Sequence, residues 1–326
     1  MIDQAQIKTV LTKDPTEAAK FIRAGGVAAF PTETVYGLGA NVFDAEAIEK
    51  IFAAKRRPND NPLIVHVVEL AQIADEFAMG GGTGRSLAED LGPNARRLIG
   101  KFFPGPLTIV LQKTSDVPYA ATAGLETVAV RMPANRLAIE LIKACGVPLV
   151  APSANLSGRP SSTTWAAVLD DLDGRIDCIL QGDATEIGLE STVVDCSDDE
   201  NPVLLRKGAV CLEKLREIVP QIELYEIGKG ERTKSPGLRH KHYAPRADVE
   251  WWQGNRRENS AYIGIDEPAA KFELEKICAD TDEYARELFA FFRKCDERHI
   301  KTIYCQKVAE DGIGAAITDR IRRAAE

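Results

Sequence analysis

The sequence predicts an α/β protein: a largely buried sheet with helices, followed by a smaller α/β unit. Three observations carry that prediction. Short β-branched or apolar runs alternate with amphipathic helical windows over the first 226 residues. A polar, Gly-rich stretch, Gly228-Lys-Gly-Glu-Arg-Thr-Lys-Ser-Pro-Gly237, then interrupts the pattern as a linker. The length of 326 residues suits about two domains of ~100–200 residues each. The expected division is a first domain over 1–226, a linker over 227–246 and a second domain over 247–326.

The runs 27–30, 63–68, 107–111, 127–131, 148–151, 178–180, 192–195 and 203–205 read as strands, because they are β-branched or apolar and often end at Pro or Gly. The window 44–56 reads as a helix, with Asp44 as N-cap and Ala47, Ile48, Ile51 and Phe52 as an apolar stripe. Further helices are expected over 85–101, 135–145, 163–172 and 212–219. In the second domain, strands at 249–252, 262–265 and 301–305 alternate with helices at 281–293 and 315–325. That order predicts three layers around a parallel sheet.

Composition narrows the function. Hydrophobic residues make up 44% and charged residues 28%, with a formal net charge of −8. Such a chain has no global basic field for nucleic acid. The seven cysteines show no C-x-x-C spacing and read as reduced thiols of a cytoplasmic protein. The amino terminus carries no basic-then-apolar leader, and no run of 18 apolar residues is long enough to span a membrane.

Several motifs are incomplete. The glycine run at 80–86 lacks the lysine and the first glycine of a Walker loop. Gly312-Ile-Gly lacks the third glycine of a dinucleotide fingerprint. His240 and His242 have no third ligand to make a metal site, and no Gly-x-Ser-x-Gly elbow supports a hydrolase. Other stretches hold more promise. In Ala28-Ala-Phe-Pro-Thr-Glu-Thr-Val-Tyr-Gly37, a buried strand runs into a turn crowded with hydroxyls, where open α/β sheets build ligand sites. Lys55-x-Arg57 places two cations at a helix end. That is also a common way to favour the helix dipole, but the pair suits an anionic ligand such as a nucleotide phosphate. Pro148-Leu-Val-Ala-Pro-Ser-Ala-Asn155 is an apolar strand ending in hydroxyl and amide groups. Ser191-Thr-Val-Val-Asp195 and Arg206-x-Gly208 place a hydroxyl and a cation at strand ends.

In this order and spacing, Pro31-Thr-Glu-Thr-Val-Tyr-Gly-Leu38, Lys55-x-Arg57, Pro62-Leu63, Ser153-x-Asn155, Ser191-Thr-Val-Val-Asp195 and Arg206-x-Gly208 resemble the threonylcarbamoyl-AMP synthase family. Ser235-Pro-Gly-Leu-Arg-His-Lys-His-Tyr-Ala-Pro245 is similar to the linker of its long, two-domain form. The resemblance implies a YrdC-like twisted open sheet and a Rossmann-like second domain. It implies a nucleotidyltransferase that joins L-threonine, bicarbonate or CO2 and ATP into L-threonylcarbamoyladenylate, with Mg²⁺ on the ATP and pyrophosphate released. The product passes to a tRNA threonylcarbamoyl transferase complex that modifies adenosine beside the anticodon.

The same resemblance distributes roles. Lys55 and Arg57 carry the charge of carbamate and phosphate. Thr34, His66, Arg131 and Ser191 surround the threonine. Arg57, Asn61, Thr127, Ala151, Ser153, Asn155, Ser161, Arg206 and Tyr243 lie on the nucleotide side. The chemistry is coherent, because two anions approach each other only against fixed positive charge. His66 inside an apolar run has the ordinary alternative of a satisfied core histidine. Arg239, His240, Lys241, His242 and Tyr243 are expected to form a lid that protects the adenylate from water. The competing reading is an RNA-binding module of YrdC type without adenylate chemistry. Weak RNA binding beside the enzyme activity is compatible with a local basic surface.

Overall fold

The computed structural model describes residues 8–74, 85–225 and 243–326. Two sheets organise them. The larger contains β1 (Val10–Thr12), β2 (Ala28–Phe30), β3 (Gly37–Asn41), β4 (Ile64–His66), β5 (Leu107–Gln112), β6 (Thr127–Arg131), β7 (Leu149–Val150), β8 (Cys178–Leu180), β9 (Thr192–Asp195), β10 (Val203–Arg206) and β11 (Glu223–Leu224). Their spatial order is β1-β8-β2-β3-β7-β4-β6-β5-β9-β10-β11, with parallel and antiparallel pairs mixed. Consecutive residues of β2 go to opposite cores: Ala28 and Phe30 to one, Ala29 to the other. A sheet covered on both faces explains why its strands read as continuous apolar runs.

Seven α-helices accompany this sheet among the described residues: α1 (Pro15–Arg23), α2 (Ala45–Lys55), α3 (Pro93–Phe102), α4 (Tyr119–Thr122), α5 (Arg136–Cys145), α6 (Trp165–Leu172) and α7 (Leu212–Ile218). Asp44 caps α2 by accepting from the Ala47 amide at 3.0 Å. At the other end Arg56 adopts a left-handed conformation (φ 50°), and the Arg57 amide donates to the Phe52 carbonyl at 2.9 Å. The second sheet is parallel throughout, in the order β12 (Asp248–Trp251), β15 (Thr302–Cys305), β13 (Ser260–Gly264), β14 (Leu274–Ile277). It is accompanied by α8 (Thr281–Glu297) and α9 (Gly314–Ala325).

Several expectations need correction. The helix expected over 85–101 begins only at Pro93. Proline suits the first helical position but disfavours helix in the residue before it. The preceding segment instead bridges Ala88 to Lys113. The second domain has two layers rather than three. Ala261, Ile263, Ile303 and Cys305 share one core with both helices. The alternate residues Tyr262 and Tyr304 pack with Trp252 and Phe272 on the other face, in an aromatic cluster. β3 escapes a sequence reading because Gly37 and Gly39 interrupt its pattern. A Cβ on Gly39 would stand 2.8 Å from the Phe30 ring, so glycine is what lets β3 pass that side chain.

The two units meet through polar, backbone and apolar contacts. Arg293 on α8 donates to Asp171 on α6 at 2.8 Å and to Ser162 at 3.1 Å. Arg320 on α9 donates to Glu190 at 2.8 Å. Leu189 packs in the core of the second unit. Next to it, Gly188 (φ 80°) lies so near α8 that a Cβ there would fall 2.4 Å from the Arg286 Cα.

Candidate active site

A cleft of about 740 Å³, solvent-open part included, opens beside β4, β6 and β7. Register builds its inner wall. β4 runs parallel to β6 with His66 opposite Arg131, and antiparallel to β7 with His66 opposite Leu149. Two strand ends thus deliver an imidazole and a guanidinium side by side.

Arg131 is buried and already bonded. It donates to Thr34 Oγ1 at 2.8 Å, to Glu33 Oε1 at 2.6 Å and to the Gly105 carbonyl at 3.2 Å. The second Glu33 oxygen accepts from the Ala134 amide at 3.2 Å. A guanidinium has more N–H groups than these bonds engage, which leaves donors for a carboxylate. Thr32 folds the hydroxyl turn on itself, with its Oγ1 2.9 Å from that of Thr34 and donating to the Val35 carbonyl at 2.6 Å. Burial and the neighbouring Arg131 push the His66 pKa down to about 3. The ring is neutral at physiological pH. Its Nδ1 lies 3.2 Å from the Ile64 carbonyl, which assigns the proton to Nδ1 and leaves Nε2 as an acceptor.

At the other end the left-handed turn at Arg56 explains the Lys-x-Arg spacing. It turns the middle residue away while Lys55 and Arg57 both line the cleft. A positive φ at a non-glycine residue costs free energy and clusters at functional sites. The Lys55 ammonium donates to the carbonyls of Ser153 and Asn155, the latter at 2.6 Å. Burial, with Arg57 beside it, holds its pKa well below the ordinary lysine value. Arg57 reaches the Asn61 and Pro62 carbonyls only at 3.3 and 3.5 Å. Burial brings its pKa down to about 10, so it remains cationic at neutral pH.

Ser191 accepts from Arg206 at 3.0 Å and lies 2.8 Å from the Thr108 hydroxyl. Ser161 donates to Glu190, whose other oxygen accepts from Arg320. Burial alone would raise the Glu190 pKa. Arg320, Arg206 and the Ser161 hydrogen bond outweigh it and hold the carboxyl below its usual range. Among the described residues, five Lys and Arg side chains (Lys55, Arg57, Arg131, Arg159 and Arg206) therefore line the cleft with one carboxylate, Glu190. Such a surface binds anions.

The structure brings Thr34, Lys55, Arg57, His66, Arg131, Ala151, Ser153, Asn155, Ser161, Ser191, Arg206 and Tyr243 onto one wall. Asn61 and Thr127 are not on it. Asn61 is buried next to Arg57, which donates to its carbonyl at 3.3 Å. Thr127 is four residues before Arg131 on β6, on the same face but about 13 Å away. Arg239, His240, Lys241 and His242 of the expected lid lie outside the described residues. Sequence reasoning misses Glu190, Arg159 and Arg320. A carboxylate directly before Ser191-Thr192 is the available signal for the first, and nothing local marks the other two.

A family model described as "Telomere recombination" matches residues 20–208. A second, "Threonylcarbamoyl-AMP synthase, C-terminal domain", matches residues 210–326. The threonylcarbamoyl-AMP synthase of Pyrococcus abyssi is 41% identical over 328 aligned residues, covering 94% of this chain and 92% of that one. The Bacillus subtilis protein of the same name is 39% identical, covering 96% and 94%. The crystal structure of P. abyssi Sua5 complexed with L-threonine superposes with a TM-score of 0.86 at 38% identity, covering 98% of this chain and 97% of that one.

Proposed function

Because the chain belongs to the threonylcarbamoyl-AMP synthase family, we infer that it joins L-threonine, bicarbonate or CO2 and ATP into L-threonylcarbamoyladenylate and releases pyrophosphate. The observation that carries this reading is the cleft itself: five Lys and Arg side chains and a single carboxylate among its described lining residues, on a fold shared with a protein crystallised with L-threonine. Threonine's nitrogen takes up CO2 to give a carbamate. A carbamate oxygen then bonds to the α-phosphorus as the bond to the β-phosphate oxygen breaks. Both reactants are anions, so barrier lowering comes from positive charge fixed in place beforehand.

Arg131, held by Thr34 and Glu33, is assigned to the threonine carboxylate. Neutral His66 offers Nε2 to the amino acid's hydroxyl or amine, and Ser191 closes the same end. Lys55 and Arg57 take the carbamate and phosphate charge. Asn61, Thr127, Ala151, Ser153, Asn155, Ser161, Arg206 and Tyr243 are assigned to the nucleotide side. Unpaired buried amide atoms on Asn61 and an unpaired carbonyl oxygen on Asn155 support that placement. Magnesium enters with the substrate as MgATP. Among the described residues no three His, Cys, Asp or Glu side chains come together as a metal cage. Phosphate oxygens and water then supply most of its ligands.

The adenylate passes to a transferase complex acting on tRNA. A cytoplasmic setting is supported by seven cysteines without a disulfide. Among the described residues no helix is long and apolar enough to cross a membrane. The RNA-module alternative is not favoured, since relatives matching most of the chain carry the synthase name. Incubation with MgATP, threonine and bicarbonate should release pyrophosphate only when all three are present. Release that is independent of threonine would reject the reading.

A further inference from the structure

We propose that Arg320, on the last helix of the second unit, is a positioning residue for adenylation: it holds Glu190 and Tyr243 in place on the cleft wall. The proposal rests on the adenylation reading above and assigns the second unit a part in it.

The Arg320 side chain is fully buried, an unfavourable place for a charge unless its donors are matched. Its Nε donates to Glu190 Oε2 at 2.8 Å, one terminal nitrogen to Asp319 Oδ2 at 2.6 Å, and the other to the Lys207 carbonyl at 3.0 Å. The guanidinium carbon lies 5.2 Å from the centre of the Tyr243 ring, which also stacks on Phe289 at 5.3 Å. Arg320 thus grips two residues that line the cleft, Glu190 and Tyr243, from outside the cleft. A fixing cross-link between units would serve anywhere along the interface. This one ends on the only carboxylate among the described lining residues. Glu190 without Arg320 would lose its hydrogen-bonded cation and keep only the charge of Arg206, leaving an under-compensated buried carboxylate on the cleft wall. Tyr243 without its cation would lose one of the contacts that fix its ring.

The test uses the full chain and follows pyrophosphate release against ATP concentration, with threonine and bicarbonate saturating. Arg320→Met should lower kcat/KM for ATP by about 10–100-fold, the range for groups that orient a contacting residue. The loss should fall mainly on the KM for ATP. Arg320→Lys should recover only part, because an ammonium cannot span two carboxylates and a carbonyl in fork geometry. The double variant Arg320→Met with Glu190→Gln should exceed Arg320→Met by about tenfold, since the stranded charge has gone. The rise in KM for ATP, read on protein whose melting temperature is followed in parallel, is what a merely structural role would not give. A double variant no better than Arg320→Met would overturn the proposal, as would wild-type KM and kcat in Arg320→Met. Should Arg320→Met fail to fold, an unchanged KM for ATP in Arg320→Lys overturns it equally. A wild-type protein that releases no pyrophosphate rejects the adenylation reading instead, so the two failures are distinguishable.

Discussion

The two ends of the cleft are finished to different degrees. At the Arg131 end, the guanidinium, Glu33, Thr34 and His66 are already bonded to one another or to backbone. At the Arg57 end, Arg57 Nε, both amide atoms of Asn61 and Asn155 Oδ1 are buried with no partner among the described residues. An unsatisfied buried polar group costs about 1–3 kcal/mol, so its retention points to a ligand that completes it. The difference teaches that one end is shaped by the fold and the other is completed by what it binds. Residues of the first kind should report on stability as well as activity. Residues of the second kind should report on activity alone.

The largest expected effect lies at the unfinished end. Arg57→Ala should cut pyrophosphate release by ~10²–10³, the cost of one preorganised donor, while its melting temperature stays near wild type. Arg57→Lys should restore only part. A large drop in melting temperature for Arg57→Ala would break the contrast.

Arg131→Ala should behave oppositely and strand the buried Glu33 carboxylate. Breaking a buried pair costs about 3–5 kcal/mol, which urea unfolding would read directly. An Arg131→Ala protein as stable as Arg57→Ala would show that the first end is no more built than the second. Arg131→Lys refines the test. Threonine should be preferred over serine by roughly 10–200-fold, the worth of one methyl group in a pocket. Because both amino acids carry the same carboxylate, Arg131→Lys should weaken both while leaving their ratio intact. A changed ratio in a competition assay would move Arg131 away from the carboxylate.

The smallest effect comes from His66. Its folded pKa of about 3 lies below its ordinary 6.5. Between those values the unfolded chain takes up a proton that the folded chain refuses. Its contribution to stability is therefore present above pH 6.5 and lost as pH falls toward 3. From about pH 7 to about pH 5 the loss is about 2 kcal/mol for this group. Chemical denaturation of wild type and His66→Gln at both pH values measures it. Equal pH dependence in the two proteins would remove His66 from the rigid end.

Much of this arrangement is legible in the sequence. Lys55-x-Arg57 can be read because α2 has a local stripe and a local cap, Asp44. His66 and Arg131 fall within recognisable apolar runs. α1 escapes the reading although Asp14-Pro15 announces it, with Asp14 accepting from the Thr16 amide at 2.8 Å. β14 escapes because Leu274-Glu-Lys-Ile277 reads as polar; among the described residues it is the edge strand of its sheet. Arg320 and Glu190 are 130 positions apart, and nothing in either neighbourhood encodes the other. Long-range pairing of buried charges leaves no periodic trace, so the contact of the second unit with the cleft wall emerges only from the fold.

Gly188 gives the molecule a gauge of its own assembly. Its amide donates to the Thr34 carbonyl at 3.1 Å, while its missing side chain leaves room for the backbone of α8. The spacing between the two units is thereby transmitted to the hydroxyl turn that holds Arg131. A methyl group at 188 would push α8 and the Thr34 turn apart. Gly188→Ala should therefore raise the KM for threonine, although residue 188 is not on the cleft wall.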